Sequence, residues 1–160
     1  MHARLTVIAL VLLAMGCAPT SVAHGQDTTG HAPVNFQQLE RRDSPNDYLV
    51  CPVDVCQKAK PDRISPVFQM PARDLKNRLE ALCSDFPRSA IVSAEDTHIV
   101  VEQRSLVFRF PDTIDIEIIE VGKDTSTVAV YSRSRYGYYD FGVNRRRVEN
   151  WLLELAASPK

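Results

Sequence analysis

Two long alternating runs, Thr113–Val121 and Thr125–Arg135, stand on either side of Gly122-Lys123-Asp124 and leave this chain little freedom. Apolar and β-branched residues that alternate with polar ones mark half-buried strands, and a short turn between two such runs joins antiparallel neighbours. Only one parity places Ile114, Ile116 and Ile118 on the same face as Val128 and Val130. That parity gathers Asp115, Glu117, Tyr131 and Arg133 on the other face, where a cross-strand ion pair accounts for Arg133.

A hairpin this apolar on one side must be covered, and two segments are suited to cover it. In 72–85, Leu75, Leu79, Leu82, Cys83 and Phe86 follow helical spacing, with Pro71 before the first turn and Pro87 as a stop. In 143–156, Val148, Trp151, Leu152 and Leu155 form a second stripe, with Asn144 the expected N-cap. Ala90–Ala94 and Ile99–Gln103 read as further strands, the second extending towards Phe110. Ile64–Met70 reads as a short strand that Pro66 keeps off the sheet centre. Pro45, Pro52 and Pro61 make the lead-in extended and turn-rich. The expectation is an α+β domain: an antiparallel sheet of about five strands packed by two amphipathic helices, in the order β-α-β-β-β-β-α.

The remaining residues give an address. The chain has 160 residues, 44% apolar and 24% charged, which suits one globular domain. His2 and Arg4 precede the apolar run Leu5–Met15 and the small residues Gly16 and Cys17. This is the pattern of a secretory signal peptide, too short to span a bilayer. Leu13-Ala14-Met15-Gly16-Cys17 resembles the bacterial lipobox, in which the cysteine thiol is lipidated and becomes the new N-terminus. Ala18 then fits export to the outer membrane, and several acyl chains anchor the protein stably. The alternative is plain cleavage near Ala23-His24-Gly25. The domain expectation is therefore 1–17 as signal peptide, 18–43 as a polar tether, and 44–160 as one folded unit in the cell envelope, with the membrane as a partner only through the anchor. The tether histidines His24 and His31 make at most a weak metal site.

Exported thiols tend to pair. With Cys17 lipidated, three cysteines remain. Cys83 lies on a helical stripe, where a thiol behaves as a small hydrophobe, so the expected disulfide is Cys51–Cys56, a local staple contributing about 2 kcal/mol. A Cys56–Cys83 bridge, a redox pair or a metal site are the alternatives; the spacing is not that of a zinc set.

The least ordinary stretch is Tyr131–Arg147, YSRSRYGYYDFGVNRRR. Ser132 and Ser134 continue the apolar face of Val128 and Val130, so that end of the strand is either frayed into solvent or lines a cavity under the last helix. The helix N-terminus at Asn144, with Arg133, Arg135, Tyr138, Asp140 and Arg145 nearby, is suited to an anion. The bland alternative has Asp140 neutralising Arg135 or Arg145. SPND at 44–47, LVCP at 49–52, RSLVFRFPD at 104–112 and YSRSRYGYYDFGVNRRRVENWL at 131–152 together resemble the bacterial domain-of-unknown-function family 1499. That resemblance implies a shared fold and site but no reaction.

Two functions follow as expectations. The first is a non-enzymatic binding or scaffolding lipoprotein for a small anionic or polar ligand or an envelope protein, working without a cofactor. The second is a serine hydrolase using Ser132 or Ser134, which needs His98 within reach; no GxSxG elbow is present. A net charge of −1 and export both argue against a nucleic-acid partner.

Overall fold

The computed structural model describes residues 32–106 and 109–157; the leader, Cys17, His24 and His31 lie outside them. One mixed, mostly antiparallel sheet contains β1 (Asp47–Cys51), β2 (Arg63–Ile64), β3 (Ser89–Ala94), β4 (His98–Arg104), β5 (Pro111–Gly122) and β6 (Thr125–Ser134). The spatial order is β2-β1-β6-β5-β4-β3, and only the short β1–β2 pair is parallel. The helices α1 (Ala72–Asp85) and α2 (Val143–Ala156) cover one face. The α+β class is as expected, with six strands instead of about five.

The extra strand lies in the lead-in. Asp47–Cys51, expected only as part of an extended, turn-rich lead-in, pairs with β6 from Asp47↔Arg133 to Val50↔Val130. Pro45 and Pro52 bracket this run without entering it, so neither removes a ladder donor. The strand expected over Ile64–Met70 shrinks to Arg63–Ile64, and Phe68 then makes an isolated bridge to Ser126.

The hairpin parity holds. Ile116 faces Val130 and Ile118 faces Val128, on the side carrying Leu75, Leu79, Cys83, Val148, Trp151 and Leu155. Each large aliphatic side chain buried there contributes about 1.5–3 kcal/mol. Phe86 meets Trp151 edge-on with ring centroids 5.5 Å apart.

The opposite face is covered too. Phe36, 1% exposed, and Leu39 pack with Leu49, Cys51, Ala129 and Tyr131. A single 3-10 turn, Phe36–Gln38, is capped by the Asn35 side chain, and Val34 N–H donates to Asp115 Oδ1 at 3.2 Å. The packed chain therefore begins ahead of Ser44, within the stretch expected to be tether, because Phe36 and Leu39 supply the apolar surface this face lacks. Cys51 and Cys56 form a disulfide with Cα atoms 6.2 Å apart, holding Val55 against the same cluster. Cys83 is free and buried, and burial pushes its thiol up to about 12. Among the described residues no helix is long and apolar enough to cross a membrane, and no group of three or more His, Cys, Asp or Glu side chains is placed to hold a metal.

Candidate functional site

The site grows from the point where β6 runs out of apolar residues. Ser132 stands opposite Ile114 and Ser134 opposite Asp112, both under α2. Ser132 is fully buried and Ser134 nearly so, which excludes a frayed strand end. Arg147 makes this possible. Although only 6% exposed, it donates from Nη2 to Asp112 Oδ2 at 2.5 Å, and from Nη1 to Ser132 Oγ at 2.8 Å and Asn144 Oδ1 at 2.6 Å. Its Nε donates to Gln103 Oε1. A buried guanidinium is tolerated only when its charge and its donors are satisfied, and here both are.

Asn144 is not the N-cap. Gly142, at φ 72°, occupies that position in a left-handed conformation that suits glycine. The capping acceptor is the Asp140 carboxylate, which accepts from Gly142 N and Asn144 N, each at 2.8 Å. The helix N-terminus therefore already holds an anion of its own. Asn144 is buried below it, donating from Nδ2 to Asn46 O at 2.8 Å, Asp140 Oδ2 at 2.9 Å and Ser134 Oγ at 3.1 Å. Asn46 in turn donates to Gly137 O at 2.5 Å and is held by Ser44 Oγ at 2.8 Å.

The arginines of the segment do not converge. Strand parity sends Arg133 and Arg135 to the face away from the helices. There Arg133 meets Asp115 at 2.6 Å, and Arg135 meets Thr113 Oγ1 at 2.9 Å and Glu102 at 3.2 Å. The cross-strand ion pair expected for Arg133 is present, and its guanidinium also lies 5.0 Å from the Tyr131 ring centre. Arg145 is exposed on the flank of α2 that carries Glu149, and Tyr138 is exposed beside Tyr139. Neither Arg135 nor Arg145 is Asp140's partner; the helix amides are.

Two recesses open around this polar cluster. One, of about 410 Å³, has an apolar rim of Leu106, Phe110, Tyr136, Tyr139 and Phe141. Its charged lining residues are Asp112 and Asp140, with Ser134 beside them. The other, of about 300 Å³, is lined by Phe86, Arg88, Gln103, Arg146 and Arg147. The two share Ser105, Leu106 and Val143 as a common wall. Among the described residues, three of the four non-glycine residues with positive φ, Arg88, Arg109 and Phe141, sit at or next to these rims. Such backbone costs about 1–3 kcal/mol per residue and gathers where function over-determines it.

Arg88 is held by a reciprocal pair: its Nε donates to Arg104 O at 3.1 Å while its own carbonyl accepts from Arg104 N at 3.0 Å. Arg146 donates from Nη1 to Phe141 O at 2.8 Å. Both are exposed, and their other guanidinium nitrogens have no partner among the described residues. Sequence reasoning singled out Arg145 and neither Arg146 nor Arg88, because nothing local joins Arg88 to α2. Arg147 was recoverable, since it lies four residues before Trp151 on the buried stripe.

A serine hydrolase finds no support. His98 pairs with Glu117, and its neighbours Ile99 and Val101 point to the helix side, so His98 projects from the face opposite Ser132 and Ser134.

Fold and site together define a small α+β domain whose buried polar residues shape two adjoining recesses. Residues 26–155 match the family model described as Protein of unknown function (DUF1499), and the chain belongs to that family. No curated protein and no solved structure matches it. Three of the four segments carrying the earlier resemblance meet at this site: Ser44 and Asn46 from the first, Ser105 and Asp112 from the third, and Ser134 to Arg147 from the last.

Proposed function

We propose that this protein is a non-enzymatic binding module of the cell envelope, lipid-anchored through Cys17, that takes a small anionic group in the arginine-lined recess beside α2. The observation that carries the reading is the pairing of Arg88 and Arg146 across one 300 Å³ recess. Each is fixed by a backbone carbonyl through one nitrogen and keeps donors to spare. A guanidinium presents its donors as a fork that matches phosphate or carboxylate oxygens. The ligand is thus expected beside α2, not at its N-terminus, which Asp140 fills.

Inorganic phosphate titrated against the folded protein and followed by amide NMR shifts tests this. Saturable shifts around Arg88 and Arg146 are expected. Arg88→Gln and Arg146→Gln should weaken them at least several-fold while changing stability by less than about 0.5 kcal/mol, as exposed sites do. Shifts that survive both substitutions overturn the recess as the site. For the anchor, Cys17→Ser should release the protein from the membrane fraction.

A further inference from the structure

We infer that the ligand is a zwitterion whose anionic group sits between Arg88 and Arg146 and whose organic ammonium group sits in the neighbouring aromatic recess. This rests on the anion-binding reading above and extends it across the shared wall.

The aromatic recess carries the opposite charge through Asp140: Arg147 neutralises Asp112, whereas Asp140 is met, among the described residues, only by amides and keeps its negative charge. Among the described residues its charged lining groups are Asp112 and Asp140, and no basic side chain lines it. Arg133 is committed to Asp115, Arg135 to Thr113 and Glu102, and Arg147 to the buried cluster beneath, while Arg146, bonded to Phe141 O, lines the other recess. The rim offers ring faces from Tyr136 and Tyr139, which are 61% and 63% exposed, and from Phe141, which is 82% exposed. Exposed rings around a carboxylate-lined hollow attract a quaternary or primary ammonium through the ring quadrupole, and such cages are a recurrent way to hold choline-like groups.

Among the described residues these rings touch only other rim aromatics, Tyr136 with Phe110 and Tyr139 with Tyr138 and Phe141, and an exposed patch of this kind calls for a partner. The Leu106–Val143 wall belongs to both hollows, so the two adjoin. A phosphate joined to an ammonium by a two-carbon linker has the matching charges in the matching order. A lipid headgroup and a soluble phosphoester share this chemistry.

The test uses calorimetric titration with phosphocholine and with its neutral isostere, in which a quaternary carbon replaces the nitrogen. Phosphocholine should bind about tenfold more tightly, the scale of a partly desolvated cation–π contact. The double variant Tyr136→Leu/Tyr139→Leu keeps the apolar volume and removes the ring faces. It should abolish that advantage and leave the affinity for inorganic phosphate unchanged. Equal binding of the two compounds overturns the zwitterion while leaving the anion site in place. If neither compound nor phosphate binds, the proposed function falls with it. Flotation with phosphatidylcholine vesicles separates the sources: retention assigns a lipid headgroup, and binding of the free compound alone assigns a soluble ligand. Either of these supports the charge pairing.

Discussion

The two ends of α2 rest on the same strands yet are held in opposite ways. Towards its C-terminal end, Trp151, Leu152 and Leu155 bury themselves against Leu79, Ile116 and Phe86, and shape is all that is required of them. In its first turns, Asn144 and Arg147 meet Ser132, Ser134 and Asp112 through directed bonds. Apolar packing tolerates substitutes of similar volume, whereas a buried charge network tolerates only complete satisfaction. The difference teaches that stability and placement are divided along one helix. The apolar end holds α2 to the sheet; the polar end fixes where Asp140, Phe141 and Gly137 stand.

The largest expected effects test that division directly. Arg147→Ala leaves Asp112 buried without its counter-charge and should cost roughly 3–5 kcal/mol in urea unfolding. Trp151→Ala should cost about as much by opening a cavity. The contrast lies in rescue. Adding Asp112→Leu to Arg147→Met should restore most of the stability, because an apolar pair can replace a buried ion pair, yet ligand binding in the recess should stay lost. If binding returns along with stability, the polar end is only another kind of packing and the contrast fails.

A smaller effect sharpens the boundary. Asp140→Ala removes the acceptor of two helix N–H groups and should cost about 1 kcal/mol, the usual scale of a lost cap. Amide exchange should quicken at Gly142 and Asn144 but not at Leu152. Uniform quickening along α2 would mean that the two ends do not behave separately.

The smallest effect is pH-dependent and falls between the ends. Tyr48 on β1 donates to Glu149 of α2 at 2.6 Å, and burial, then Glu149, push its phenol up to about 12. A proton held more tightly in the folded state adds stability that is fully present below about pH 10, the ordinary phenol value, and is lost as pH rises through the raised one. Melting temperatures of the wild type and Tyr48→Phe should therefore differ at pH 8 and converge towards pH 12. A constant gap would remove this proton from the account.

Much of the fold was legible because it depends on periodicity. The alternation from Thr113 to Arg135 set the parity, and the stripes on 72–85 and 143–156 set both helices. Strand β1 was hidden because Pro45 and Pro52 weigh on a local reading, although neither enters the ladder. Asn144 was mistaken for a cap because the nearest polar residue before a helical stripe is the natural candidate; the true acceptor, Asp140, reaches forward from the turn. The site was less legible for a different reason. Arginine is ordinarily a surface residue, so Arg147 drew no assignment of its own. Arg88 and Arg146 come to one recess only through the docking of α2 on β1 and β6, which no local pattern records.

The bond from Val34 N–H to Asp115 carries one more consequence. It fastens the entering chain to the sheet face away from the helices, while both recesses open on the helix side. Chain entry and the two openings thus occupy opposite faces of one sheet, and a ligand in either opening would not meet the segment from Val34 to Leu39 that closes the other face.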